Sequence, residues 1–439
     1  MKQHIRGVLI LITVFCVSVI SILLNSGSNL PYERLEEDPP DREITPERSA
    51  IRDYTDLMVR ALDSTGTVGA AFTIVHDGRI VATRTHGVRR QGSSAKVNRH
   101  TVFRLASVSK GFSGALACLL QDEGILSLDD RITEYIPGFR LKDPVSTAEL
   151  TLRHVMSHTS GLVPHAYDNL VEADMDLASI IGRLHEVDIS APPGKLYGYQ
   201  NVVFSILAPI SEQITDKSYR QLLEEKLFHP LGMQDASAGK IDLDHPYNVA
   251  FPHIKGRSEY IPLDLHEGYY NVLPAAGINA SIADMGQWLL ALLGYRPEHF
   301  PDTICRQLAT PLVYTPLKWQ YTRHWKPFRE RYYSLGWRIY HYRGRKIVYH
   351  GGYVRGYRAE IGYCPEEKVG IAFLQNSPNG LASQSVPSFF DLFFQTVDGE
   401  TDLVTGGDAD PVIAGDADHV IAGDADPVIA GGADPVNKK

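Results

Sequence analysis

Strand-forming segments lie on both sides of a long helical stretch, and this arrangement most narrows the folds open to the chain. VGAAFTIV (residues 68–75) and RIVATRTHG (residues 79–87) flank His76-Asp77-Gly78, whose Asp-Gly step is a strong hairpin signal. Much later, GWRIYHY, RKIVYH, RAEIGYC and VGIAFLQ read as strands joined by tight turns, before a final helix near 385–397. Hairpins require antiparallel pairing. The expected fold class is therefore α/β (α+β): an antiparallel sheet from residues 65–90 and 330–376, flanked by helices, with a helical insertion over about 125–300.

The segment FRLASVSKGFSGALACLL, residues 103–120, carries one lysine, Lys110, among residues that are otherwise apolar or small apart from Arg104. Residues 108–123 have helical periodicity, with Phe112, Ala115, Leu116, Leu119 and Leu120 on one face and Gly124 closing the helix. Burying an ammonium is costly and lowers its pKa toward values at which it acts as a base. Ser107 lies three residues back, on the same face of the helix start, where free backbone N–H groups favour a developing negative charge. Ser93–Lys96 and Ser237–Lys240 repeat the spacing in polar, glycine-containing stretches without helical periodicity. Ser107 is thus the candidate nucleophile.

Two further elements stand out. In APPGKLYGYQNVVFSIL a Pro-Pro-Gly turn leads to Tyr199 and Asn201 before an apolar helix; Asn is also a common helix N-cap and Tyr an ordinary packed aromatic. In YHGGYVRGYR, residues 349–358, His350, Gly351 and Gly352 end a strand, where glycines can mark a bulge. No G-x-S-x-G nucleophile elbow occurs. His154 and His158 have the spacing of zinc ligands on a helix, but the glutamate of H-E-x-x-H is missing, which favours a structural role.

Ser107-Val-Ser-Lys110, Tyr199-Gln-Asn201 and His350-Gly-Gly352, in this order, resemble the S-x-x-K, Y-x-N and K-T-G or H-x-G motifs of the serine beta-lactamase and penicillin-binding-protein family. The likeness is to its class C and D,D-peptidase branch with its esterase relatives. GILSLDDRITEYIPGF, LTLRHVMSHTSGL, KLFHPLGM, AAGINASIADMGQWLLALL and SLGWRIY look like the same branch, so the resemblance covers roughly residues 50–395. It implies that Ser107 forms an acyl-enzyme, with Lys110 and Tyr199 sharing its proton. Tyr199, its pKa lowered by Lys110, would protonate the leaving group and activate the deacylating water. Asn201 would hold Lys110 and a substrate amide. The backbone N–H groups of Ser107 and of Tyr353, which follows Gly352, would form the oxyanion hole. No metal and no cofactor are implied.

The departures bear on substrate. His350 replaces a lysine, removing a permanent charge, and Gln200 is an unusual middle residue. With an unperturbed pKa of about 6.5, His350 is expected to contribute a titrating part of carboxylate recognition beside the permanently charged Arg355 and Arg358. The resemblance implies hydrolysis of amide or ester carbonyls in D-amino-acid peptides or beta-lactams. A carboxylesterase of the same fold and a catalytically silent envelope scaffold are the alternatives.

Among the 439 residues, 44% are hydrophobic and 22% charged, which describes a globular protein of about two to three domains. A net charge of −9 without a basic block argues against nucleic-acid binding and leaves small molecules or peptides as partners. Lys2 and Arg6 precede an uncharged apolar run, Gly7–Leu24, and the acidic flank ERLEEDPPDRE follows. Residues 1–24 thus read as a membrane anchor holding the catalytic domain outside the cytoplasm, or as a signal peptide cleaved near Ser26-Gly27-Ser28. Residues 25–47, with Pro31, Pro39, Pro40 and Pro46, read as a linker to a hydrolase domain over 48–400. GDADPVIA-type octapeptides from Gly407 make 401–439 a low-complexity tail. Cys118, Cys305 and Cys364 do not form a disulfide framework, and Cys118 reads as core packing.

Overall fold

The computed structural model describes residues 45–241, 248–315, 325 and 328–399. The apolar run Gly7–Leu24, most of the linker segment and the octapeptide repeats lie outside the described residues. The first element, helix α1 (Pro46–Ser64), starts inside the segment assigned to the linker. Thr45 caps it by accepting from Arg48 N, Pro46 occupies the first turn and Glu47 faces the positive end of the helix dipole. Pro46 therefore opens a helix instead of extending a linker. Ile51, Tyr54, Met58 and Leu62 form its buried stripe.

Strands β1 (Gly69–His76) and β2 (Arg79–Gly87) form the expected hairpin. Asp77 and Gly78 both have positive φ, 45° and 75°, as a two-residue turn of this twist requires. A long mixed region follows, and within it helix α2 (Ser109–Asp122) contains Lys110. The chain then returns to the sheet as β3 (Val313–Tyr314), β4 (Phe328–Tyr333), β5 (Arg338–Tyr342), β6 (Arg345–Val354), β7 (Tyr357–Cys364) and β8 (Val369–Gln375). Strand order is β2-β1-β8-β7-β6-β5-β4-β3, with every neighbouring pair antiparallel. The pairing of β1 with β8, Ala70 opposite Gln375 through His76 opposite Val369, joins the two chain regions.

Both faces of this sheet are covered. On one face α1 packs beside the final helix, α3 (Gly380–Val397), with Tyr54, Phe72, Phe373, Phe389 and Phe390 in one cluster. Tyr54 also donates from its hydroxyl to Ser385 O at 2.8 Å. Helix α3 begins earlier than the expected start near 385, because Asn379 caps it and Pro387 is accommodated inside the helix. The other face packs against α2 and the mixed region. That region is not wholly helical: Val102–Arg104, Ile278–Ser281 and Ser237–Ala238 form a small sheet, and helix Asp302–Leu308 extends beyond the expected boundary.

Helix α2 is buried on all sides from Ser109 to Leu120, not on one face alone. Its extra contact is with Leu335-Gly336-Trp337, the turn before β5. A Cβ on Gly114 would lie 2.1 Å from Leu335 O, so the helix approaches this turn as closely as backbone allows. We expect Gly114→Ala to destabilise the fold by about 1–3 kcal/mol through overpacking. A thermal melt checks it; an unchanged midpoint would mean that α2 can withdraw from the turn at no cost.

Candidate functional site

The serine is delivered by a strained bend. Leu105 N, just beyond the strand Val102–Arg104, donates to Ile278 O at 2.9 Å; Ala106 then adopts φ 48°, a left-handed conformation that a side chain disfavours. Ser107 sits in the single 3-10 turn that follows, immediately ahead of α2, and is 5% exposed. One turn further on, Lys110 is wholly buried. Its Nζ donates to Ser107 Oγ at 3.3 Å, Asn201 Oδ1 at 2.8 Å and Ala275 O at 3.0 Å. These three acceptors match the three N–H bonds of an ammonium. The other two serine–lysine spacings build nothing comparable, since Lys96 and Lys240 are exposed and Lys240 pairs with Glu267.

Tyr199 completes the centre by donating from its hydroxyl to Ser107 Oγ at 2.9 Å, while Lys110 Nζ stands 4.6 Å from its ring centroid. Asn201 is not the helix cap; Gln200 takes that position, leaving the Asn201 amide to bridge Lys110 and Asp168. The unusual Gln200 is buried, and its side-chain amide donates to Val163 O. His158 brackets Tyr199 from both sides: its carbonyl accepts from Gly198 N at 2.8 Å and its Nδ1 from Gln200 N at 3.2 Å. His154 instead accepts from Thr151 N in the cap of the helix Leu152–Met156. Each of these histidines thus holds backbone.

The His350-Gly-Gly352 segment lies inside β6, not at its end, and its pairing with β7 runs without a bulge. A Cβ on Gly352 would lie 2.2 Å from Leu105 O and 2.9 Å from Ser107 N, so the glycine lets the sheet reach the backbone of the nucleophile. Alternation along the strands puts His350 and Gly352 on the Ser107 side. The Tyr353 side chain, Arg358 and Glu360 belong to the α3 side, where a Cβ on Gly362 would meet Val386 and Phe390. Arg358 Nε donates to the buried Glu360 carboxylate at 2.6 Å. Strand alternation thus starts the Arg358 side chain from the face opposite Ser107.

The expectation for His350 is corrected. It is wholly buried, and its Nδ1 contacts Gly351 O at 2.8 Å; a carbonyl only accepts, so Nδ1 carries the proton. Nε2 then accepts from the Tyr333 hydroxyl at 3.2 Å. Burial first, and then the Arg338 and Lys110 cations, hold its pKa well below the usual histidine value. His158 is likewise held low by burial and by Lys110. Sequence reasoning missed Arg338, which is 6% exposed on β5. Its guanidinium donates to the Tyr197 hydroxyl at 3.4 Å and lies 5.7 Å from the Tyr199 ring centroid. Arg338 thus puts a permanent positive charge beside the Tyr199 ring. His165 and Asp168 were missed as well, at the start of the helix Asp168–Glu172, which is too short to give a periodic signal; His165 Nδ1 and Asp168 Oδ2 are 2.7 Å apart.

Because His158 and His350 are neutral when folded, they take up protons on unfolding below about pH 6.5. The unfolded chain then binds more protons than the folded one. Stability is fully present above that pH and falls below it, by up to about 1.4 kcal/mol per pH unit for each histidine. Denaturant titrations between about pH 7.5 and 5 check this. His350→Gln should lose stability less steeply on acidification, and an unchanged slope would mean that His350 is charged in the fold.

Comparison with known proteins identifies the family. The beta-lactamase family model matches residues 51–389. An unguisins hydrolase from Aspergillus violaceofuscus is 26% identical over 370 residues, covering 77% of this chain and 63% of that protein. A D-aminopeptidase from Cereibacter sphaeroides is 28% identical over 340 residues, covering 73% of this chain and 60% of that protein. This chain thus spans less than two thirds of either relative. The octameric penicillin-binding protein homologue from Pyrococcus abyssi has the same fold, with a TM-score of 0.68 at 22% identity, covering 78% of this chain and 77% of that chain. With the family match extending over most of the described residues, the chain belongs to the serine beta-lactamase and penicillin-binding-protein family of serine hydrolases.

Proposed function

We propose that this protein hydrolyses amide or ester carbonyls through an acyl-enzyme on Ser107. The observation that carries the reading is the meeting of Lys110 Nζ and the Tyr199 hydroxyl at one oxygen, Ser107 Oγ. Lys110 already uses three N–H bonds, so Tyr199 is the partner left to take the serine proton. It must do so as a phenolate. Burial opposes that charge, whereas Lys110 and Arg338 near its ring favour it. Ser107 Oγ attacks the carbonyl carbon as its proton passes to Tyr199. The oxyanion is met by the backbone N–H groups of Ser107 and Tyr353, at the close approach that Gly352 permits. Tyr199 then returns the proton to the leaving group as the carbonyl–leaving-group bond breaks; its phenolate next draws a proton from the attacking water and hands it to Ser107 Oγ as the acyl–oxygen bond breaks and the acid is released.

The substrate class we infer is D-amino-acid peptides or beta-lactams. The D-aminopeptidase relative supports it, and the buried Arg338 supplies a lasting positive charge beside the Tyr199 ring. Action outside the cytoplasm, from a membrane anchor, rests on the apolar run Gly7–Leu24 and is read by membrane fractionation with protease protection.

Incubation with a fluorescent penicillin or a fluorophosphonate, followed by peptide mass analysis, should place a covalent adduct on Ser107. Ser107→Ala should abolish labelling. Lys110→Ala and Tyr199→Phe should each lose about 10²–10⁴-fold in turnover while remaining folded. Labelling that persists in Ser107→Ala, or near wild-type turnover in both other variants, would contradict the mechanism.

A further inference from the structure

We propose that Asp168 is a positioning residue for the Ser107 centre, fixing which end of the Asn201 amide faces Lys110. The inference rests on the acyl-enzyme reading for its catalytic consequence. A primary amide has one accepting end and one donating end, and an ammonium can only donate. Asn201 therefore helps to hold Lys110 only when its Oδ1 faces Nζ, as it does at 2.8 Å. On the far side of the amide, Asn201 Nδ2 donates to Asp168 Oδ2 at 2.9 Å. A carboxylate only accepts, so Asp168 selects this orientation and opposes the reverse one.

Asp168 is itself held. Its Oδ2 also accepts from His165 Nδ1 at 2.7 Å, and the His165 backbone N–H donates to Tyr199 O at 2.8 Å. His165 and Tyr167 have positive φ, 59° and 64°, and the bend carries Asp168 N back to His165 O at 3.2 Å. The side chains of His165 and Asp168 are only 14% and 15% exposed. Asp168 Oδ1 is buried without a hydrogen-bond partner, which costs stability. One oxygen, Oδ2, thus serves both Asn201 and His165 and ties the amide to the loop that carries His165.

A double-mutant cycle on the rate of Ser107 labelling by a fluorophosphonate tests the proposal. Asp168→Leu should slow labelling roughly tenfold to a hundredfold, and Asp168→Asn, whose Oδ1 can still accept from Asn201, should recover most of that loss. If Asp168 acts through Asn201, Asp168→Leu with Asn201→Ala labels no more slowly than Asn201→Ala alone. Multiplying losses, or equal losses in the Leu and Asn variants, overturn the proposal. An arm that needs no turnover is hydrogen exchange of the Asn201 side-chain amide, read by NMR with melts of each variant. Protection should be present in the wild type and lost in folded Asp168→Leu; unchanged protection overturns the proposal. Absence of any label on wild-type Ser107 would instead count against the acyl-enzyme reading, and the exchange arm would still decide the role of Asp168.

Discussion

The burial of the Lys110 ammonium is the constraint on which the rest of the structure depends. A charge with no exposed surface is tolerated only when its hydrogen-bonding capacity is met. Here the acceptors come from three parts of the chain: Ser107 beside it, Asn201 91 residues away and Ala275 165 residues away. None of these segments can be misplaced without leaving a buried N–H unmet. The same alignment that makes the charge tolerable sets the serine against its proton partners. Helix α2 is anchored to the same end by further contacts, with Ser113 Oγ donating to Pro274 O at 2.7 Å and Ser109 Oγ accepting from Ile278 N at 3.0 Å. Fold and chemistry are thus coupled at one nitrogen atom.

The sheet adds a second constraint through its pleat. Because β6 and β7 are covered on both faces, their register is specified by packing, and a one-residue slip would exchange the two faces. With the observed register, the side without a Cβ at Gly352 meets Ser107, and the charged pair Arg358–Glu360 stays on the α3 side. The Tyr349 hydroxyl also donates to Glu360 at 2.5 Å, so that carboxylate has partners enough to be buried. Arg358 is one of those partners, two residues along the strand from the Glu360 it binds.

What could be read from sequence was local. The Asp77-Gly78 turn, the later strands and the pairing of Ser107 with Lys110 each depend on residues a few positions apart, and each is found as expected. Helix α1 carried a readable signal in Thr45-Pro46-Glu47, but the prolines ahead of it suggested continued linker. Helix α3 likewise carried a readable cap in Asn379, ahead of its expected start near 385. Arg338, Asp168 and the state of His350 depend on distant partners. Arg338 sits in a strand where an arginine ordinarily faces water, and only the rings of Tyr197, Tyr199 and Tyr333 reveal its burial. Likewise, a solution pKa for His350 says nothing of the burial that keeps it neutral.

This inventory of charge explains why histidine stands at position 350. A lysine there would bring another ammonium into a cluster that already contains Lys110 and Arg338, both close enough to depress the His350 pKa. Each added like charge would pay its own desolvation and repel the other two. Neutral imidazole avoids both costs and still gives and receives one hydrogen bond, to Gly351 and from Tyr333. Arg338 already supplies one positive charge near Tyr199. The arginine differs in kind, since its charge is spread over a plane that can lie against aromatic rings and does not titrate. Lys110 and Arg338 both place positive charge beside the Tyr199 ring, and acidification through the ordinary histidine range leaves the buried His158 and His350 uncharged.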